Sequence, residues 1–306
     1  MNKLKVTDCD VIYLSYDEPN AEQNYADLLT KIPWAKRVHG VEGSDAAHKA
    51  CARLSETDRF ITIDGDNKIR PEFIKQEITI LEGADISKSV ISWGARNIIN
   101  GLQYGNGGIK CWPKDVVLEM KTHESAPADN LRAQIEFCWD LNYIQVDRIM
   151  SDVYNNDSAQ QAWRAGFREG VKMGLLEGAK PDAATFLKQV HWKNLHRLMI
   201  WMNVGMDTPN GIWAIYGARH GCYMTNFTDW DYINVRDFTW LNNFWEDHER
   251  DINQHRVLES EIDRLGASIN TGLKLPIDKP FTAEQSRFFK MTYTNPSRMK
   301  SRLIEE

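Results

Sequence analysis

The chain lacks any apolar run approaching the roughly 18 residues that a membrane-spanning helix needs. Its opening stretch, MNKLKVTDCD, carries no apolar core of the kind a secretory signal has, so the expectation is a soluble, cytoplasmic protein with no membrane partner. Cysteine is sparse. The five residues Cys9, Cys51, Cys111, Cys138 and Cys222 are scattered, odd in number and free of any CxxC pair. That pattern predicts reduced thiols and argues against a disulfide framework or a structural zinc site. Neither G-x-G-x-x-G nor G-x-x-x-x-G-K-[ST] occurs in a usable context, which disfavours dinucleotide oxidoreductases and P-loop enzymes. Positive charge does not dominate either: the net charge of −6 does not mark a nucleic-acid binder. Internal repeats and low-complexity stretches are absent.

What is present fits one large domain or two modest ones, since 306 residues with 42% hydrophobic content can bury a sizeable core. Val11 to Leu14 predicts a buried strand, followed by the polar break Ser15 to Pro19. Asn20 with Gln23 three residues on predicts a capping box opening a helix that ends before Pro33. Arg37 to Val41 reads as a second strand. Ser44 or Asp45 caps another helix, whose Ala47, Ala50, Cys51 and Leu54 share one face. Phe60 to Ile63 is the third strand. This alternation predicts an α/β fold with a doubly wound, mainly parallel sheet. Ser89 to Trp93 and Ile109 to Trp112 add strands around a glycine-rich connection, Asn100 to Gly108, whose backbone must lie close to another chain segment or a ligand. Residues 158–202 turn helical. Trp213 to Trp245 mixes aromatics with strand-like runs, and Glu246 to Leu265 predicts one charged amphipathic helix.

The densest chemistry lies in Phe60-Ile61-Thr62-Ile63-Asp64-Gly65-Asp66-Asn67, an apolar run ending in two aspartates around a glycine. A strand here places Asp64 and Asp66 at the rim of a sheet, where open α/β folds bind ligands. Gly65 allows a tight turn and keeps the space between the carboxylates clear. Two carboxylates this close repel unless a cation joins them. Mg²⁺ or Mn²⁺ suits the pair, because these ions take one or two carboxylates together with substrate phosphates. Plain surface turns also read D-G-D. The strand–helix alternation upstream is what favours a site.

Strand, acidic turn, helix, strand, helix, strand and then Ile63-Asp64-Gly65-Asp66 resembles the nucleotide-sugar-binding half of GT-A fold glycosyltransferases. Tyr13-Leu14-Ser15-Tyr16-Asp17-Glu18, Glu42 to Lys49 and Tyr104-Gly105-Asn106-Gly107-Gly108-Ile109 carry the rest of the resemblance. It covers residues 8–115 well and the remainder loosely. In style and size the chain is similar to glycosyltransferases of tailed bacteriophages, including those that modify hydroxymethylated DNA bases.

The resemblance implies a donor domain over residues 1–150, a helical acceptor subdomain over 151–210, and return strands with a C-terminal helix and basic tail over 211–306. It implies that Asp66 binds the metal and that Asp64 holds the ribose or a metal-bound water. Ser15, Tyr16, Asp17 and Glu18 would flank the nucleoside, with Tyr16 a stacking surface. Asp45 with His48 or Lys49 would lie beside the nucleotide, and Asn106 and Gly107 would shape the sugar pocket. His220 would return as a further metal ligand and Arg219 would neutralise diphosphate charge. An inverting reaction needs a base for the acceptor hydroxyl, for which Asp140 and Asp129 lead and Glu136 follows. The implied activity is metal-dependent transfer of a sugar from a nucleoside diphosphate, UDP above all, to an acceptor hydroxyl such as that of a hydroxymethylated base in double-stranded DNA.

Other readings stand beside these. A glycan or protein acceptor fits the same donor half. A nucleotidyltransferase also uses paired carboxylates, yet its first loop is glycine-rich and basic where Ser15 to Pro19 is acidic. A degenerate, non-catalytic binding protein is a third class. The residues Arg287, Lys290, Arg298, Lys300 and Arg302, interleaved with Phe288, Phe289 and Tyr293, suit phosphates and rings as well as a plain solvated arm. His191 and His196 sit five apart and do not share a helix face. Ala162, Gly166 and Gly170, four apart, predict close approach of another helix. Most of the tryptophans from Trp139 onward belong to a core.

Overall fold

The computed structural model describes residues 2–105, 107–255, 257–295 and 301–305. Its strands are β1 (Asn2–Lys5), β2 (Asp10–Ser15), β3 (Lys36–His39), β4 (Arg59–Asp64), β5 (Asn67–Ile69), β6 (Glu77–Ile80), β7 (Ser89–Asn97), β8 (Gln103–Tyr104), β9 (Ile109–Pro113), β10 (Asn142–Val153) and β11 (Ile304–Glu305). The α-helices are α1 (Ala21–Lys31), α2 (Ser44–Leu54), α3 (Lys114–Glu119), α4 (Leu131–Ile135), α5 (Ala159–Met173), α6 (Phe186–Gln189), α7 (Trp192–Asn203), α8 (Gly211–Phe227), α9 (Phe238–His255), α10 (Leu258–Leu273) and α11 (Ala283–Thr292). The protein is mixed α/β.

The main sheet runs β3-β2-β4-β9-β7-β10-β5, with β8 beside β7. Strand β2 pairs in parallel with β3 and β4, and β10 pairs in parallel with β7, but β9 runs against both β4 and β7. The expected mainly parallel sheet is therefore a mixed one. The reason is local: the short glycine-rich connection turns the chain straight back after β7, whereas a parallel neighbour needs a longer crossover. Both faces of the sheet are covered, so its strands read as continuous apolar runs. Val11, Tyr13, Ile61 and Ile63 pack with Leu28 and Ile32 at α1, while Ile12 and Phe60 pack with Cys51 and Ala52 of α2 and Val117 of α3.

A second core is helical. It joins Trp163, Phe167, Leu198, Trp201, Ile215, Leu241, Ile262 and Leu273, and it also takes Ile99, Leu102 and Ile135 from the first half of the chain. Helices α5 and α8 meet backbone to backbone. A Cβ at Gly166 would lie 2.0 Å from the Ala214 carbonyl oxygen, and one at Gly217 would lie 2.2 Å from that of Trp163. The four-residue spacing of small side chains thus serves the close helix contact it predicts.

Two expectations fail in the C-terminal third. The return strands foreseen in 211–306 are helices α8 and α9, and the strand described there, β11, joins the separate β1-β6-β11 sheet. Apolar runs such as Gly211-Ile212-Trp213-Ala214-Ile215-Tyr216 do not distinguish a buried strand from a helix apolar on all sides, and this 17-residue, proline-free span is a helix whose Gly217 and Gly221 fit against α5. The single helix expected over 246–265 is two helices, α9 and α10. Among the described residues no helix is long and apolar enough to cross a bilayer.

Candidate functional site

The C-terminal ends of the parallel neighbours β2 and β4 lie side by side, with Leu14 in register with Asp64. The loops leaving them bring three carboxylates together. The Tyr13 hydroxyl donates to the Gly65 carbonyl at 2.6 Å and the Asn24 amide donates to the same oxygen at 2.9 Å, so the D-G-D turn is pinned from behind. Glu18 folds back over it: a Cβ on Gly65 would fall 2.6 Å from Glu18 Oε2. The Tyr16 backbone N–H donates to that oxygen at 2.8 Å. Asp66 accepts from Asn67 Nδ2 at 2.7 Å, and Asn67 Oδ1 accepts from the Ser151 hydroxyl at 2.7 Å.

Electrostatics follow from this crowding. Burial, with the charges of Asp64 and Glu18 beside it, raises the Asp66 carboxyl to about 7. Burial and the charges of Asp17 and Asp64 lift Glu18 above the usual carboxylate range, against the pull of the Tyr16 N–H. Asp64 is more open, and Lys110 stands 3.9 Å from its Oδ2 while donating to the Gly107 carbonyl at 2.8 Å. Lys110 was not among the residues singled out from sequence.

Behind Asp64 lies the start of α2. His48 Nδ1 donates to the Ser44 carbonyl at 2.8 Å, which leaves Nε2 as the acceptor nitrogen, and burial holds the imidazole below its ordinary value. Its ring rests on Phe137 at 4.6 Å and Trp112 at 5.3 Å. Asp45 and Lys49 pair with each other at 2.8 Å. The N-cap is neither Ser44 nor Asp45 but Gly43, at φ 86°, where the turn requires glycine. The first N–H groups of α2 are satisfied from a distant loop, Glu124 Oε1 accepting from the Ser44 and Asp45 backbones. Similarly, Asn20 occupies the N-cap of α1 without capping it; its amide donates to the Tyr154 carbonyl at 2.8 Å and the expected capping box is not formed.

The facing wall is α5. Arg164 reaches Asp17 Oδ2 at 3.6 Å, and the guanidinium groups of Arg164 and Arg168 lie over the Phe238 ring at 4.7 and 4.9 Å. Arg168 is close enough to Asp66 to feel its charge, although burial and Arg164 together lower its basicity. Lys172, one turn on, is pushed down to about 8 by burial and by Arg168. Sequence alone assigns this segment to helix packing, because the small residues Ala162, Gly166 and Gly170 recur four apart on it. The signal was the second four-residue spacing, Arg164, Arg168, Lys172, on the face opposite the glycines.

Other expected residues lie elsewhere. Arg219 is fully buried in α8 and donates to the carbonyls of Met202, Ile262 and Asp278 and to Asn203 Oδ1, so it ties helices together and does not neutralise a diphosphate. His220 packs among Phe167, Tyr216 and Phe244 in the helical core instead of returning to the sheet rim. Both corrections have one cause: the segment is a central helix, not glycine-flanked mobile backbone. Ser15 is buried and its hydroxyl faces His39 Nδ1 at 2.9 Å, while Tyr16 is exposed at the rim. The space beside Gly107 is filled by Ala95 and the Trp93 carbonyl, so its missing side chain admits chain and not ligand. Asn106 lies outside the described residues. Asp129 lines an outer hollow with Pro127, Asn130, Leu131, Arg132 and Glu177, Asp140 is exposed, and Glu136 pairs with Arg132 at 3.1 Å. In the C-terminal arm Lys290 is turned inward to Asp207 at 2.7 Å, whereas Arg287 and Phe288 are exposed; Arg298 and Lys300 lie outside the described residues.

Among the described residues no group of three or more His, Cys, Asp or Glu is arranged to hold a metal ion by itself. No protein-family model matches the chain, and no curated protein matches it.

Proposed function

We propose that the protein is a metal-dependent, GT-A-like glycosyltransferase that moves a sugar from a nucleoside diphosphate, UDP above all, to an acceptor hydroxyl. The observation that carries this reading is the acidic rim of Glu18, Asp64 and Asp66 at the ends of two parallel strands, faced by the cations of α5. Carboxylates alone repel a diphosphate, and cations alone do not explain three crowded acids. Together they fit a phosphate chain bound through a divalent ion.

The donor set suits Mg²⁺ or Mn²⁺. Its ligands are hard oxygens, and two aspartates leave positions open for phosphate oxygens and water. Asp66 and Asp64 would hold the ion, which when bound would supply positive charge at the leaving diphosphate. The chain's own residues do the rest. Asn67 and Ser151 fix the Asp66 carboxylate, and Arg164 and Arg168 supply guanidinium charge from the opposite wall. Tyr16 offers its exposed ring to the base. A hydroxymethylated base in double-stranded DNA is the acceptor that the resemblance suggests, although Lys290 is no longer part of any docking arm.

Calorimetric titration of UDP with and without Mn²⁺ tests the proposal. Binding should require the ion and should be lost in Asp66→Asn, with slow hydrolysis of one UDP-sugar in a donor panel. Equal binding without Mn²⁺, or no binding at all, defeats it.

A further inference from the structure

The cations of α5 extend beyond the acidic rim. Four residues of helix advance the chain by about 6 Å, so Lys172 lies about 12 Å along the axis from Arg164. Arg164 is the one that pairs with Asp17. The charge of Asp66 still reaches Arg168, whereas the charges acting on Lys172 are those of Arg168, Glu169 and Glu136. A diphosphate is much shorter than this span of about 12 Å, so an ion-bound diphosphate at the rim does not cover the stripe.

Arg168 and Lys172 have no anion of their own. Among the described residues neither makes a hydrogen bond or ion pair, and Arg168 Nε is buried without an acceptor. Two further basic groups converge on the same place. His123, whose Nδ1 is also buried without a partner, lies within range of Lys172, Arg236 and Arg168, which with burial hold it down to about 4. Arg236 Nη1 donates to the His123 and Gln134 carbonyls at 2.7 and 3.0 Å, fixing the loop that carries His123. The neighbouring carboxylates are Glu169 on α5 and Glu136, the latter already paired with Arg132. Crowded, desolvated like charges are costly unless an anion compensates them.

We propose that Arg168, Lys172 and His123 form a metal-independent phosphate subsite, and that it receives a phosphate carried by the acceptor. The class of acceptor is thereby a nucleotide or phosphodiester bearing the reacting hydroxyl. The subsite rests on side chains alone; its assignment to the acceptor rests on the transfer reaction proposed above.

Binding of inorganic phosphate in EDTA, followed by calorimetry, isolates the subsite from any ion. The wild-type protein should bind, and the double variant Arg168→Gln, Lys172→Gln should lose at least tenfold, with Arg168→Lys retaining most of the affinity. Circular dichroism and melting confirm that the variants are folded; the single variant Lys172→Gln carries the test if the double variant is not, and unchanged phosphate binding in that folded protein then counts against the subsite. UDP affinity with Mn²⁺ should stay within twofold in the single variant Lys172→Gln, because Arg168 and not Lys172 feels the charge of the rim. Unchanged phosphate binding overturns the subsite, and a tenfold loss of UDP–Mn²⁺ binding overturns its assignment to the acceptor. If the wild type binds phosphate through these residues but never binds UDP, the subsite stands and the glycosyltransferase reading falls.

Discussion

The carboxylate of Glu18 lies where a side chain on Gly65 would begin: an added Cβ would sit 2.6 Å from Oε2. Gly65 is not in the left-handed region, so the turn itself does not demand glycine. The neighbour does. Because Oε2 is the far end of a flexible side chain, it can swing aside at small cost in stability. Gly65→Ala should therefore shift the melting temperature little, while displacing Glu18 from the rim and weakening Mn²⁺-dependent UDP binding about tenfold, or ~1.4 kcal/mol. Calorimetry on the folded variant checks this, and an unaltered affinity would show that the position of Glu18 is irrelevant to the rim.

Asp66→Asn should stabilise the ion-free protein at neutral pH. The folded carboxyl titrates near 7, above the ordinary value of 3.8. A raised folded value means the folded state holds the proton more tightly, so this group's stabilisation is complete below about pH 4 and is lost as pH rises through 7. Asparagine keeps an oxygen for the Asn67 amide and removes the charge. The gain over wild type should grow from nothing near pH 4 to on the order of 1–3 kcal/mol at pH 8, with screening at this half-buried site keeping it modest. The titration belongs to the cluster of Asp66, Glu18 and Asp64, so the midpoint is shared. Melting curves at pH 4, 6 and 8 give the answer; parallel curves at all three would refute it. Adding Mn²⁺ should raise the wild-type melting temperature and leave the variant's unchanged.

Strands β2, β3, β4, β7 and β9 and the acidic turn were legible because their signals are local. Val11 to Leu14, Phe60 to Ile63 and the D-G-D turn each declare themselves within eight residues. What escaped depends on which elements pack together. The inverted strand β9 is set by a connection length, and the distinction between helix and strand over Gly211 to Phe227 is settled by glycines that fit against α5. The cations Arg168 and Lys172 point away from α8 because Gly166 and Gly170 hold the opposite side of α5 against it. Likewise Glu124 caps α2 from 80 residues away, a pairing no spacing rule announces.

Gly166→Ala should be destabilising out of proportion to one methyl group. The new Cβ would meet the Ala214 carbonyl oxygen at 2.0 Å, and backbone cannot swing aside as Glu18 can. Overpacking of this kind costs about 1–3 kcal/mol, which corresponds to a fall of roughly 3–10 °C in melting temperature. The higher helix propensity of alanine offsets only ~1 kcal/mol of it. A melting temperature equal to or above wild type would mean that α5 and α8 do not touch as described. Because α5 carries Arg164, Arg168 and Lys172, phosphate binding in EDTA should weaken in parallel.

Lys290 supplies a test of the C-terminal arm as structure. Its ammonium sits 2.7 Å from Asp207 Oδ2 and 2.7 Å from the Thr208 hydroxyl, with the Asp207 side chain only 7% exposed. Phe289 from the same helix and Tyr293 at its C-terminal cap pack against the helical core. Removing one partner of such a pair leaves an uncompensated buried charge, so Lys290→Met should cost about 3–5 kcal/mol. Adding Asp207→Asn removes that charge and should recover most of the loss, giving a coupling between the two changes of more than ~1 kcal/mol. An arm that merely contacts a polyanion from solution predicts the opposite pattern, with a stable Lys290→Met protein and weakened salt-dependent binding to DNA. Denaturant unfolding of the two single variants and the double variant decides between these. Additive effects, or a single variant as stable as wild type, would return Lys290 to the surface.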